Sequence, residues 1–262
     1  MKTFWEFCEE REAIRLKRLR GYPAPWTDDE ILRVNHFTNV DRNLDRGTIF
    51  LKDVLKYTSD EELKMFWVFV YRFSGSNQKL FNYLDLNDPK ALECIPDEVP
   101  KFYSGAYSRP CFPKGKGIGI RFLTQDLPAM FDILYNDISN RSGDKIVNVA
   151  TDLAELIAKQ GPWRRMHFHC SEIAKDLSIF FPNYVDPYSE TALGKGSKVG
   201  LKCMGLKGQP SKRVWALVYC SHNKLELNYN CMEHALCEYG KYVDIFKAGK
   251  PRKNRQRKDE DV

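Results

Sequence analysis

The segment SDEELKMFWVFVYRF (Ser59–Phe73) constrains the fold of this chain more than any other stretch. Residues that cap helices open it, and aromatic and aliphatic side chains fill most of the remainder. A helix that is apolar around most of its circumference has to be buried, so this segment predicts a central core helix.

Further helical patterns recur along most of the chain. They occupy residues 3–20, residues 28–34, QDLPAMFDILYNDISNR, NVATDLAELIAKQ and NYNCMEHALCEYGKYVDIF. RVWALVYC fits either a strand or a buried helical segment, and residues 100–125 are rich in Gly and Pro, which indicates a loop or hairpin. Helices dominate, so the sequence predicts a mostly α fold with a short irregular or β insertion.

Composition bounds the size and the location of the protein. The 262 residues are 43% hydrophobic and 29% charged, which suffices for a real core. We predict one helical domain over residues 1–246, with two lobes as an alternative, and a basic then acidic flexible tail over residues 247–262. No run approaches the ~20 apolar residues that span a membrane, and the N-terminus lacks a secretory pattern. Eight cysteines without a CxxC pair indicate reduced thiols, so we expect a cytoplasmic protein.

The net charge of +6 is concentrated in two basic clusters. They are REAIRLKRLR (Arg11–Arg20), which contains Arg11 and Arg15, and KAGKPRKNRQRK (Lys247–Lys258). Clusters of this kind favour a polyanionic partner such as nucleic acid. For the second cluster, solubility alone explains the charge equally well.

The stretch HFTNVDRNLDRGT (His36–Thr48) predicts a helix with an unusual polar face. Asn39, Arg42, Asn43 and Arg46 fall at i, i+3, i+4 and i+7, with Asp45 beside them. Arginine side chains at this spacing can hold phosphate oxygens bidentately, and a neighbouring carboxylate can orient them. A surface lattice of salt bridges, worth only ~0.3–0.5 kcal/mol per pair, explains the same spacing. The spacing alone leaves both interpretations open.

A helix corner at Gly161 resembles the second half of a helix-hairpin-helix. One helix ends there and another begins at once, an arrangement in which backbone N–H groups hold a DNA phosphate, with Trp163 and Arg164 beside the contact. In the glycosylase superfamily built on this hairpin, the next helix leads to a loop with a catalytic aspartate. FFPNYVD resembles that loop, which makes Asp186 a candidate and Asp176 a second one. An ordinary helix corner is the equal alternative.

Two further patterns carry titratable or basic side chains. In EHALCEYGKY, Glu233 and His234 form a pair that could move a proton, and a salt-bridged helix is the alternative. GKGSKVGLK (Gly194–Lys202) indicates a glycine-rich loop whose backbone, with Lys195 and Lys198, could contact phosphate or the DNA backbone. It lacks the spacing of a P-loop, and a mobile surface loop explains it equally well.

His167, His169 and Cys170 raise the question of a metal site. At i, i+2 and i+3 of a helix they do not converge on one ion, and no CxxC or HxxxH partner occurs elsewhere. We therefore predict no metal and no cofactor.

Taken in order, several of these stretches resemble one known family. They are ERE-AIRLKRLRG, PWTDDEIL, NVDRNLDRGT, SGAY, GPW followed by DL, a glycine loop and EHALCEYGKY. From about Phe4 to Lys253 the chain is similar to the phage-centred thymine-hypermodification proteins, the amino acid:DNA transferases also called α-glutamyl/putrescinyl thymine pyrophosphorylases. The helical domain of 5-hydroxymethyluracil DNA kinases is a related group. A phage-encoded member would act in the host cytoplasm.

The resemblance implies a helical fold related to helix-hairpin-helix DNA glycosylases. It also implies a substrate, double-stranded DNA whose thymine carries a phosphorylated or pyrophosphorylated 5-hydroxymethyl group, and an amino acid or amine that displaces the phosphate group. GKGS replaces the GPG that is usual in the family's loop, so the choice of nucleophile can differ. The residues that match the family's motifs are Arg11, Asn39, Arg42, Asp45, Arg46, Asp176, Glu233 and His234.

The candidate residues thus divide by expected role. For gripping the substrate phosphates we expect Arg11, Arg15, Asn39, Arg42 and Arg46, and for catalysis Asp45, Asp176, Asp186, Glu233 and His234. For DNA contacts we expect Gly161, Trp163, Arg164, Lys195 and Lys198.

Three alternatives compete with this interpretation. A DNA glycosylase would need one exposed aspartate or lysine at the sugar and no acceptor site. A DNA-binding module without catalysis would recruit a separate 5-hydroxymethyluracil DNA kinase. An inactive helical domain of such a kinase is disfavoured by the full set of polar motifs.

Overall fold

The computed structural model describes residues 1–94, 118–161, 163, 166–221 and 225–249. Helices form most of these residues, which confirms the mostly α prediction. The packing divides the chain into two compact units, unit 1 (Met1–Asp45 and the chain from Leu193 onward) and unit 2 (Arg46–Ala192). In chain order the α-helices are α1 (Phe4–Leu19), α2 (Glu30–Val34), α3 (Arg46–Val54), α4 (Glu61–Phe73), α5 (Ile118–Arg121), α6 (Leu127–Ser139), α7 (Ile146–Lys159), α8 (His167–Phe180), α9 (Lys195–Cys203), α10 (Pro210–Ser221) and α11 (Tyr229–Ala248).

Unit 1 is organised around its longest helix, α11, against which α1, α2, α9 and α10 pack. Aromatic rings fill the contact with α1: the ring centroid of Phe7 lies 5.7 Å from that of Tyr239 and 5.3 Å from that of Tyr242. A capping box starts α1, because Thr3 and Glu6 each accept a hydrogen bond from the other's backbone N–H. The helical prediction for residues 3–20 is therefore confirmed.

Glycines allow α9 to approach α11 closely. A Cβ atom on Gly200 would lie 2.1 Å from the carbonyl oxygen of Leu236, and one on Gly196 would lie 2.4 Å from the Sγ of Cys237. Gly240 lies in the same contact, where a Cβ would be 3.0 Å from the carbonyl oxygen of Gly196. The prediction of a glycine-rich loop over residues 194–202 was wrong, because these glycines serve helix packing.

Unit 2 is organised around α4, the apolar segment. The carboxylate of Asp60 accepts a hydrogen bond from the backbone N–H of Leu63 (2.7 Å) and so caps the helix. Every residue from Met65 to Phe73 is buried, and α4 packs against α6 and α8. The predicted central core helix is confirmed.

The β structure within the described ranges is one small parallel pair. β1 (Asp144–Lys145) pairs with β2 (Val185–Asp186), with Asp144 opposite Val185. Of the Gly- and Pro-rich stretch over residues 100–125, residues 100–117 lie outside the described residues. From Ile118 the chain runs through α5 and a π-helical turn into α6, so the loop or hairpin prediction was wrong for residues 118–125. RVWALVYC lies within α10 and is helical. In none of the described segments is there a helix with the length and apolar character needed to cross a membrane.

Candidate active site

An extended segment around Thr38 is held in unit 1 by side chains from two helices. From α1, Arg11 donates to the carbonyl oxygens of Phe37 (2.6 Å) and Thr38 (3.2 Å). From α11, the carboxylate of Glu238 accepts from the backbone N–H of Thr38 (3.4 Å), and His234 Nε2 lies 2.6 Å from the Thr38 hydroxyl. The segment is extended because its polar groups bond to these side chains rather than to a helical ladder.

The predicted helical stripe over residues 36–48 is therefore wrong. After the extended segment, a 3-10 turn (Arg42–Leu44) is capped by the Asp41 carboxylate, and α3 begins only at Arg46. Asn39 closes this turn, since its side-chain amide donates to the carbonyl oxygen of Leu44 (2.6 Å). Local hydrogen bonds of Asn and Asp compete with helix formation, and here they prevail.

Arg42 is a buried cation of unit 1, although its backbone lies in a 3-10 turn and not in the predicted helix. It is 3% exposed, and its backbone N–H donates to the Sγ of Cys231 on α11 (3.4 Å). Arg46, by contrast, is exposed and belongs to unit 2. Arg15 pairs with Glu12 (2.5 Å) on its own helix. The five predicted phosphate-gripping residues are thus placed differently, and Arg42 is the one of them that acts electrostatically on His234.

His234 is influenced by four charged side chains of unit 1. Arg42, Asp45, Glu233 and Glu238 all act on it electrostatically. Burial lowers the pKa of His234, and the cation of Arg42 lowers it further, against the opposing effect of the three carboxylates. The imidazole is therefore neutral near pH 7, which is the form that can accept a proton.

Glu238 provides the ionised partner in this centre. Burial by itself would raise the pKa of Glu238, but Lys241, His234 and the backbone N–H of Thr38 outweigh it, so the pKa is lowered. Lys241 also bonds directly to the Glu238 carboxylate. Thr38 and Glu238 were not among the predicted site residues, although Glu238 follows His234 by one helical turn and Lys241 follows Glu238 by three residues.

Glu233 links the charged group around His234 to α9. Its carboxylate accepts a hydrogen bond from the backbone N–H of Gly194 (3.1 Å), the residue that caps the start of α9. Lys195 and Lys198 lie on the exposed side of the same helix. Glu233 therefore positions α9 beside the centre, and the two lysines extend from it into solvent.

Unit 2 contains a separate, fully buried charge network. Arg72 on α4 pairs bidentately with Asp176 on α8, and the Nη2–Oδ1 distance is 2.8 Å. Arg72 also donates to the Ser76 hydroxyl (3.2 Å), while Lys175 pairs with Glu172 (3.0 Å). Asp176 is 0% exposed, so its carboxylate holds Arg72 and has no access to a substrate. The sequence signal for this network was a single arginine within the apolar segment FVYRF.

His169 borders the same network. It stacks on Phe73 with ring centroids 5.7 Å apart, and burial lowers its pKa to about 4, with a further contribution from Arg72 against that of Glu172. Across the described ranges, no three His, Cys, Asp or Glu side chains form a group that could hold a metal ion.

The remaining predicted residues lie in structural positions in unit 2. Asp186 at the end of β2 accepts from the backbone N–H of Tyr188 (2.9 Å) and so shapes a turn. Trp163 is 2% exposed, and its ring packs edge-on against Phe122, so its predicted contact with DNA stays a prediction. Gly161 follows the C-terminus of α7, and Arg164 lies outside the described residues.

Comparison with known proteins identifies the family. The family described as "5-hmdU DNA kinase, helical domain" matches residues 1–217. The chain belongs to this family. It is also 40% identical over 81 residues to a 5-hmdU DNA kinase of Bacillus phage SP10, a match that covers 27% of this chain and 13% of the relative. No solved structure matches the chain significantly.

Only some of the candidate site residues lie within the part of the chain that matches the family. The residues that match the family include Arg11, Thr38 and Arg42. It ends before α11, which supplies His234 and Glu238. The match therefore extends from α1 into α10, and His234 and Glu238 lie on the helix beyond the matched residues.

Proposed function

We propose that this protein modifies thymine-derived bases in DNA by transferring an amino acid or amine onto the C5 methylene of (pyro)phosphorylated 5-hydroxymethyluracil. Membership of the 5-hmdU DNA kinase helical-domain family supports the context of 5-hydroxymethyluracil chemistry on DNA. The observation that best supports the transfer step is that His234 is neutral near pH 7. Arg42 and the carboxylates of Asp45, Glu233 and Glu238 act on it electrostatically.

The proposed reaction is a substitution at the methylene carbon. The amine nitrogen forms a bond to that carbon, the carbon–oxygen bond to the phosphate breaks, and the phosphate or pyrophosphate leaves with the electron pair. The attacking amine must be neutral, so an ammonium group has to lose a proton, and His234 is the base that we assign to this step. Glu238, which its ion pair with Lys241 helps to keep ionised, stabilises the imidazolium that results.

Arg42 is the group that we assign to the leaving phosphate. Its guanidinium can donate two parallel hydrogen bonds to phosphate oxygens, and its burial strengthens such bonds. Arg11 supports this role indirectly, because it fixes the segment that leads into the turn of Arg42. The target base would have to leave the duplex, which costs a few kcal/mol and is offset by contacts in a pocket.

Mass spectrometry of nucleosides tests the proposal. Duplex DNA with pyrophosphorylated 5-hydroxymethyluracil is incubated with the protein and a pool of amino acids and polyamines, then digested. We expect a new nucleoside whose mass equals 5-hydroxymethyldeoxyuridine plus one amine minus water. The same DNA whose 5-hydroxymethyl groups carry no pyrophosphate should give no product. Unchanged nucleosides with every donor would contradict the transfer.

The assigned role of Arg42 has a matched control in unit 1. Arg42→Lys keeps the charge but loses the bidentate geometry, and we expect transfer to slow about tenfold or more. Arg33→Ala, at an exposed position on α2, should keep the rate. A folded Arg42→Lys protein with the normal rate would remove Arg42 from the phosphate site.

A second candidate function is DNA binding in support of a separate kinase. The family description names a helical domain of a kinase, and the chain spans 13% of the length of the curated relative that it matches. Tight binding to 5-hydroxymethyluracil DNA with no change in nucleoside composition, together with faster phosphorylation by an added kinase, would favour this function. Base excision has less support, since Asp176 is fully buried and Asp186 shapes a turn.

A further inference from the structure

The segment that carries α9 and α10 is basic without any counter-charge in its own sequence. Residues 191–221 contain no Asp or Glu. Their cations are Lys195, Lys198, Lys202, Lys207, Lys212 and Arg213, and all five lysines are exposed. Charge runs are usually interspersed with both signs on soluble proteins, so this segment carries a concentrated positive field in unit 1.

Exposed aromatic rings accompany this charge on one face of α10. Lys212, Trp215 and Tyr219 are spaced at i, i+3 and i+7, and all three are exposed. Trp215 is 42% exposed and Tyr219 is 79% exposed. Two large exposed rings on one helix face, next to a lysine, offer flat surfaces on which a ligand can stack.

Trp215 is also held in a defined orientation. Its ring packs edge-on against the buried ring of Tyr229 at the start of α11, with centroids 5.1 Å apart. A ring fixed in this way loses little conformational entropy when it stacks on a ligand. Trp215 and Tyr219 are four residues apart, which corresponds to about 6 Å along the helix. That distance lets two neighbouring bases of an extended strand each meet one ring.

We infer that α9 and α10 form a binding surface for single-stranded DNA, in which Trp215 and Tyr219 stack on unpaired bases and the exposed lysines contact phosphates. Aromatic rings next to lysines are the combination that proteins use for single strands, because every base offers a ring face and every nucleotide a charge. A duplex presents only its phosphates to such a surface, since its bases are stacked on each other. The inference deepens the DNA-binding part of the proposed function and does not depend on group transfer.

Fluorescence anisotropy with the full chain tests this surface. The probes are a labelled 20-nucleotide oligothymidylate and an unmodified duplex of the same length, at several salt concentrations. We expect the single strand to bind more tightly than the duplex. Trp215→Ala and Tyr219→Ala should each weaken binding to the single strand about tenfold. Tyr57→Ala and Tyr188→Ala, at exposed tyrosines of unit 2, should leave it unchanged.

A second readout separates stacking from simple attraction of charge. Trp215 is the most exposed of the five tryptophans, so the single strand should quench part of the tryptophan fluorescence. Trp215→Phe should keep the affinity within a few-fold and lose most of that quenching. Changing Lys195, Lys198 and Lys202 together to Gln should flatten the salt dependence, by about 0.7 in log–log slope for each phosphate that the variant no longer neutralises.

The outcomes decide the inference without reference to transfer. It is overturned if the duplex binds as tightly as the single strand, if the alanine variants of both rings bind normally, or if neither DNA binds at low salt. Absence of transfer in the nucleoside assay, with ring-dependent binding of the single strand intact, would contradict the proposed function and leave this surface in place.

Discussion

The two units each contain a cluster of charged residues around a histidine of lowered pKa, but the clusters differ in how they are paired. In unit 2, Arg72 and Asp176 satisfy each other and have almost no exposed surface. In unit 1, His234 is partly exposed, and its Nε2 lies 2.6 Å from the hydroxyl of Thr38. A buried, mutually satisfied pair serves mainly structure, whereas a neutral base among charged neighbours is suited to proton transfer.

Asp176→Asn should have the largest effect on the unit 2 network. It leaves Arg72 buried with its counter-charge removed, so we expect a loss of about 3–5 kcal/mol in the free energy of unfolding. Urea denaturation followed by circular dichroism measures it. Asp53→Asn, which removes one side of the exposed pair with Lys56, is the control and should have no measurable effect. An Asp176→Asn protein that is fully stable but inactive would instead make Asp176 part of the reacting site.

The pH dependence of the unfolding free energy tests the environment of His169, which borders the Arg72–Asp176 network. Its pKa is about 4 in the folded protein, against 6.5 for the free side chain. Between these values the unfolded chain binds a proton that the folded chain does not, so the protein loses stability as the pH falls from 6.5 towards 4. We expect this group to contribute about 2–3 kcal/mol over that window.

The measurement is the unfolding free energy of His169→Gln across that pH range. The variant should lose much of the pH dependence, whereas His167→Gln, at an exposed position on the same helix, should retain it. Equal pH dependence in both variants would show that His169 is not neutral in the folded protein.

A smaller effect is expected where α9 meets α11 in unit 1. Gly200→Ala places a methyl group against the carbonyl oxygen of Leu236 and should cost about 1–3 kcal/mol through overpacking. Because α9 begins at the carboxylate of Glu233, transfer should fall as well. Lys198→Ala on the exposed side of α9 is the control for thermal unfolding. Unchanged melting of Gly200→Ala would mean that the two helices do not need the glycine.

The elements that sequence alone predicts well are those with local causes. The apolar composition of α4 and the capping residues of α1 act within one helix, so the sequence contains all that is needed to place them. Residues 36–48 were misjudged because helical spacing was present, whereas the deciding bonds come from α1 and α11. Spacing cannot report such distant partners.

The candidate site was predicted only in part for the same reason. Arg42, Glu233 and His234 do share unit 1, together with Asp45, which acts electrostatically on His234. Asp176 was selected from a motif without its partner, because Arg72 lies 104 residues earlier in the chain. Glycines of α9 suggested a phosphate loop because the residue type is the same for close helix packing and for close approach to a ligand.

We place the chemistry at His234 and not in the buried network of unit 2. The most direct measurement is the single-turnover rate of nucleoside modification by His234→Gln and His169→Gln, each confirmed as folded by circular dichroism. We predict that His234→Gln lowers the rate by ~10²–10⁴-fold, as expected for loss of a general base, and that His169→Gln stays within a few-fold of the unmodified protein. A normal rate for His234→Gln, or a selective loss in His169→Gln, would contradict the account.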